Sequence, residues 1–160
     1  MSVADLTEEG EQLATAIATR VLKSGQTVAV AESLTSGNLA SHLGAAPDAS
    51  KWFAGGVVAY AAEVKFQVLD VEPGPVVTAK CAGEMARGVV RLLGSDLGVS
   101  ITGVGGPDPE EGHPAGTVFI AVSTGHDETV TEHHLDGDPA QVVSAAAVEA
   151  LKLLLAALKP

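Results

Sequence analysis

At 160 residues, this chain is long enough for one well-buried core and too short for two. Its net charge of −11, with nine Lys and Arg against 20 Asp and Glu, weighs against a general nucleic-acid binder, which needs a basic surface. The composition is 46% apolar but only 3% aromatic, so Ala, Val and Leu must fill closely packed helix-on-sheet layers. Cys81 is the single cysteine, which rules out an internal disulfide and points to a reducing, cytoplasmic compartment.

Residues 1–10 are acidic and polar, unlike a secretory leader. A helix is expected over residues 5–24, where Leu6, Leu13, Ile17 and Val21 recur at helical spacing and Gly25 follows as a stop. A strand over 27–31 leads into the loop Ala31-Glu32-Ser33-Leu34-Thr35-Ser36-Gly37 and a short helix around Asn38–Leu43. Pro47-Asp48-Ala49-Ser50 breaks the pattern before a strand over 54–60 and a short helix over Ala62–Leu69. Pro73-Gly74-Pro75 is a turn, after which Thr78 caps a helix running to about Leu93, with Gly94 as its terminator. Leu97–Thr102 is a short strand entering a second small-residue loop, Thr102-Gly103-Val104-Gly105-Gly106-Pro107, and 108–114 is a flexible, acidic excursion.

Thr117–Ser123 and Glu128–Leu135 alternate as two strands of a hairpin around Thr124-Gly125-His126-Asp127. Asp138 as N-cap and Pro139 at the first position start the last helix, which runs to about Leu158. That helix is apolar on most faces, but Glu149 and Lys152 interrupt it and it is expected to fall short of a membrane span. The interleaving of strands and helices, with one hairpin, implies an α/β fold with a mixed sheet and helices on both faces.

Strand ends in open α/β sheets are where ligands bind, because free backbone N–H groups and helix N-termini point into the crevice. Ser33, Thr35 and Ser36 could offer hydroxyl and backbone donors to a phosphate or carboxylate, or one of them could simply cap a helix. The loop has neither the lysine of a Walker A motif nor the spaced glycines of a dinucleotide fold. Ser33, Tyr60 and Lys65 form a second possibility: a serine nucleophile needs a base, and a desolvated lysine can lose its proton near neutral pH. From spacing alone the plainer reading is favoured, with Ser33 as a cap, Tyr60 half-buried and Lys65 solvated. Ser50 fits a turn or cap. Thr102 and Gly103 could surround a developing oxyanion, or form a tight turn. His113, His133 and His134 lack metal-ligand spacing, with the adjacent pair pointing to opposite faces of a strand, and Cys81 reads as packing.

Four motifs in order and in register resemble the CinA C-terminal domain family over about residues 8–157. They are Ala31-Glu32-Ser33-Leu34-Thr35-Ser36-Gly37, Trp52–Tyr60 with Lys65, Ser100–Pro107, and Gly116-Thr117-Val118. The resemblance implies a single three-layer α/β/α domain with a mixed, mostly parallel sheet, in the stand-alone form and assembled as a homodimer or larger homo-oligomer. It implies a nicotinamide-nucleotide amidase that converts nicotinamide mononucleotide, a pyridine nucleotide, to nicotinate mononucleotide and ammonia. No metal or organic cofactor is implied, and no nucleic acid or membrane partner. Ser33 falls on the nucleophile, Lys65 on the general base with Tyr60 assisting, and Thr102 near the site. Thr35, Ser36, Gly37, Gly103 and Gly105 are expected to line the substrate.

The chain departs from the family pattern at three places. Ser36 stands where a glycine is usual, Ala61-Ala62 follow the tyrosine in place of Ser-Asn, and Pro139 and Val143 occupy positions that usually carry arginine. Those losses point to an alternative, a weak or inactive member that binds a nucleotide or a protein partner.

Overall fold

The computed structural model describes residues 1–160 and builds one five-stranded sheet from the short apolar runs. In chain order the elements are α1 (Val3–Ser24), β1 (Val28–Glu32), α2 (Asn38–Gly44), β2 (Phe53–Val58), α3 (Ala62–Leu69), α4 (Ala79–Leu93), β3 (Leu97–Gly103), β4 (Thr117–Ser123), β5 (Glu128–His134) and α5 (Pro139–Ala157). A single 3₁₀ turn, Ala49–Lys51, holds Ser50 away from any strand end. The sheet order is β2-β1-β3-β4-β5. β1 pairs parallel with β2 and β3, whereas β4 runs antiparallel to both β3 and β5. Four of the five strands therefore point the same way, but the hairpin makes two of the four pairings antiparallel.

Strand parity sorts the core into two layers. Val28 and Val30 of β1, Val99 and Ile101 of β3, and Val118 and Ile120 of β4 pack with α1, α2 and α5. Ala29 and Ala31 face the opposite way, onto Leu69 of α3 and Cys81, Met85 and Val89 of α4. The small side chains on that second face let α4 sit close to the sheet. Capping matches the expected chemistry: the Thr78 side chain accepts from Cys81 N, and Asp138 accepts from Gln141 N in a capping box with Pro139 following.

α5 is long and apolar enough to cross a membrane by length and composition, despite Glu149 and Lys152. Its Val142, Ala146, Ala147, Ala150, Leu151 and Leu154 instead close the first core layer against the sheet. The acidic excursion is tied down, contrary to its polar composition. Glu110 and His113 exchange backbone hydrogen bonds of 3.1 and 2.8 Å, and the Glu111 carboxylate accepts the N–H groups of Val76 and Val77.

β1, β2 and β3 end at one edge of the sheet, the crest on which the two small-residue loops stand. α3 is held beneath that crest by Gly88 of α4, where any Cβ would collide with the Leu69 carbonyl. In a free helix Gly88→Ala would gain about 1 kcal/mol of propensity. Here the collision should dominate, destabilising the fold by about 1–3 kcal/mol and lowering Tm by several degrees. Thermal unfolding checks this, and a rise in Tm would contradict the packing described.

Candidate active site

Ser33 is the first residue beyond β1, and the parity that turns Ala29 and Ala31 toward α4 turns Ser33 the same way. α3 places Lys65 and Leu69 on its buried face, four residues apart. Lys65 is only 1% exposed, so it is not the solvated lysine of the plainer sequence reading. Its Nζ stands 3.0 Å from Ser33 Oγ, 2.8 Å from the Ala59 carbonyl oxygen and 3.2 Å from the Tyr60 carbonyl oxygen. Burial lowers its pKa below the ordinary lysine range, while coulombic interaction with the Cys81 sulfur and the Glu110 and Glu111 carboxylates acts in the opposite direction.

Ser33 does not cap α2. The N-cap position is Gly37, which offers no side chain, and Glu32 takes over the task. Fully buried, Glu32 accepts the Leu39 and Ala40 N–H groups at 2.9 and 3.0 Å through its two carboxylate oxygens. A carboxylate at a helix N-terminus satisfies orphan donors and meets the positive end of the helix dipole. The intervening turn closes with the Ser36 N–H on the Ser33 carbonyl at 3.1 Å. Ser36 has φ +50°, a left-handed conformation that glycine adopts at lower cost, and its hydroxyl donates to the Leu34 carbonyl. That explains why a glycine suits this position. Thr35 is 2% exposed, and its hydroxyl oxygen has no hydrogen-bond partner in the protein.

Tyr60 is brought to the site in a manner that sequence reading did not anticipate. Its carbonyl grips Lys65, while its side chain is 68% exposed rather than half-buried. Thr102 is buried on the α4 side of β3, and its hydroxyl donates to the Val76 carbonyl at 2.8 Å. It builds the wall of the site instead of standing free for a ligand. Cys81 packs against that wall, where burial pushes its thiol up to about 11, so it is no thiolate nucleophile. The second loop lies against the first: a Cβ added to Gly105 would lie 3.7 Å from Leu34 Cβ. Gly103 has a different reason to be glycine, since a Cβ there would strike the Thr117 carbonyl across the β3–β4 pair.

No three His, Cys, Asp or Glu side chains converge to hold a metal ion. His133 and His134 do diverge, His133 toward Glu149 and His134 toward Glu132 on the exposed side.

The sequence profile of the CinA C-terminal domain matches residues 10–158. The chain belongs to the CinA C-terminal domain family. It is 47% identical over 118 residues to a Bacillus subtilis protein named as competence-damage inducible, a match covering 71% of this chain and 28% of that protein. A Desulforamulus reducens protein of the same name is 36% identical over 151 residues, covering 91% of this chain and 37% of that one. The chain thus spans about a third of the length of these curated relatives. Among solved structures, a CinA superfamily protein from Escherichia coli superposes with a TM-score of 0.89 at 35% identity, covering 91% of this chain and 88% of that one. CihA from Agrobacterium tumefaciens, a competence/damage inducible protein, gives 0.88 at 27% identity, covering 92% and 94%.

Glu32 and Glu111 are the structural anchors that sequence reading missed. Glu32 stood within a quoted motif, and its spacing of seven residues from Leu39 gave a strand-to-helix brace no short-range signature. Glu32→Gln keeps the shape but leaves one of the two α2 N–H groups facing an amide NH₂. The expected cost is about 1–3 kcal/mol, read from urea denaturation. Unchanged stability would contradict the bracing role.

Proposed function

We propose that this chain is an amidohydrolase that cleaves the carboxamide of nicotinamide mononucleotide or a related pyridine-nucleotide amide, using Ser33 as nucleophile and Lys65 as general base. The observation that carries the reading is the buried contact of 3.0 Å between Lys65 Nζ and Ser33 Oγ. Membership of the family supports it. The single buried Cys81 suits a cytoplasmic enzyme.

Hydrogen-bond arithmetic makes the pair chemically competent. The Ala59 and Tyr60 carbonyls can only accept, so they occupy two N–H bonds of Lys65. A neutral amine then has its lone pair left for the Ser33 hydroxyl proton, whereas an ammonium offers its third N–H to the Ser33 oxygen. The same geometry therefore serves both protonation states, and the proton moves along one line.

In the reaction, Ser33 Oγ bonds to the carboxamide carbon as its proton passes to Lys65. The tetrahedral intermediate collapses as the C–N bond breaks, and Lys65 returns the proton to the leaving nitrogen, which departs as ammonia. Water then attacks the acyl carbon as Lys65 takes its proton, the ester C–O bond breaks, and Lys65 returns the proton to Ser33 Oγ, which frees the acid product and restores the enzyme. The Leu34 and Thr35 N–H groups have no acceptor within the protein, and they supply donors beside the nucleophile for the developing oxyanion. Tyr60 holds Lys65 through its carbonyl, and its side chain is exposed.

A second reading, a family member that binds without turnover, is favoured by the absence of cations at Pro139 and Val143. Ammonia release from pyridine-nucleotide amides separates the two. Ser33→Ala and Lys65→Ala should each lower kcat/KM by at least about 10³-fold, and mass spectrometry should find the acyl group on Ser33. Variants as active as the parent would overturn the mechanism, and binding without turnover by the parent would establish the second reading.

The pH profile offers an independent check. Protonated Lys65 cannot accept the Ser33 proton, so kcat/KM should fall as pH drops. Because burial depresses the lysine, the rise should be centred below the ordinary lysine range. A rise that follows the ordinary lysine range would contradict a desolvated base.

A further inference from the structure

The sheet has two edges, and the chain guards only one of them. At one edge β5 carries Glu128, Glu132, His133 and His134, and charged side chains discourage a further strand from pairing there. At the other edge β2 reads Phe53-Ala54-Gly55-Gly56-Val57-Val58, with no charge and no proline, in a chain of net charge −11. Its one irregularity lies at its start, where Ala54 is an extra residue beside the Val28–Ala29 step of β1. From Gly55 to Val58 the pairing with Ala29 to Glu32 is regular.

Backbone alternation decides what the open edge offers. The Ala59 N–H bonds to the Glu32 carbonyl at 2.7 Å, so Ala59 and, two residues back, Val57 turn their polar backbone groups toward β1. Gly56 and Val58 therefore turn theirs outward, where the sheet has no further strand. Ala54, Gly56, Val58 and Tyr60 are exposed along the same stretch, Val58 by 48% and Tyr60 by 68%. Small residues come first in this stripe and large ones last.

Such an edge is complementary to itself. An antiparallel copy related by a two-fold axis at Val57 sets Gly56 opposite the second copy's Val58, and Val58 opposite its Gly56, so the outward N–H and C=O groups all pair. The same register lays Tyr60 beside the second copy's Ala54, again large against small. Beyond the strand ends it carries Lys51 toward the second copy's Glu63. Both side chains are exposed; Glu63 has no ion-pair partner in its own chain, and Lys51 has Asp48 at 3.6 Å.

We infer that β2 is a docking edge for a second copy of this chain, pairing antiparallel about Val57 to join two sheets into one. The contact abuts the proposed site, because Ala59 and Tyr60, whose carbonyls hold Lys65, follow β2 directly. It stands independently of the amidase reading.

Analytical ultracentrifugation of the full chain tests it. The parent should sediment as a dimer in reversible equilibrium with monomer. Val58→Lys sets two like charges beside the axis and should shift the chain to monomer. Val58 is exposed, so the circular dichroism and Tm of that variant should stay close to those of the parent. Lys51→Glu opposes Glu63 at both ends of the contact and should raise the dimer Kd by about tenfold. Adding Glu63→Lys to Lys51→Glu restores the attraction and should restore the dimer. Were Val58→Lys to unfold, this charge-swapped pair decides alone. A parent that stays monomeric at high protein concentration overturns the inference. A dimer that neither Val58→Lys nor Lys51→Glu weakens also overturns it, and assigns the contact to another surface.

Discussion

The amine of Lys65, closed off from water and held by three oxygens, is the constraint on which the rest of this structure depends. A buried ammonium is costly unless every N–H finds an acceptor, and here two acceptors come from the chain as it leaves β2. The residues between β2 and α3 therefore have a fixed path, because Ala59 and Tyr60 must present their carbonyls to a side chain one turn later. The third acceptor is Ser33, so the same constraint ties the end of β1 to α3. Close docking of α4 at Gly88 holds α3 in place, and the small residues on the α4 face of the sheet leave room for it.

Around this centre the two small-residue loops divide the work. The first is braced from within by Glu32, whose carboxylate fixes the start of α2 and lets Ser33 project without a capping role. The second contributes Thr102, which holds the 76–77 segment from one side while Glu111 holds it from the other. Glu111 thus fastens the wall of the site.

Much of this was legible in the sequence. The α3 boundaries, the Thr78 and Asp138 caps and the β4–β5 hairpin follow from local chemistry: a capping side chain, a proline at N1, and two strand-like runs around the Thr124-Gly125-His126-Asp127 turn. What was not legible depended on long-range packing. Lys65 lies on a short helix of weak amphipathic character, and only contact with β1 and α4 decides that it is buried. Tyr60 acts on Lys65 through its backbone carbonyl, which no side-chain pattern can announce. Ser36 adopts a left-handed turn usually left to glycine. The family resemblance drew Ser33 and Lys65 together where spacing alone favoured a cap and a solvated lysine. The acidic excursion read as flexible from its composition, yet two carboxylate–amide contacts at Val76 and Val77 anchor it.

Nuclear magnetic resonance of the labelled lysine side chains tests, without any substrate, that Lys65 is a desolvated amine able to stand neutral beside Ser33. One Lys Cε–Nζ resonance, missing in Lys65→Ala, should titrate below the others and shift when Ser33 is replaced by alanine. A Lys65 signal that titrates with the exposed lysines and ignores Ser33→Ala would contradict it.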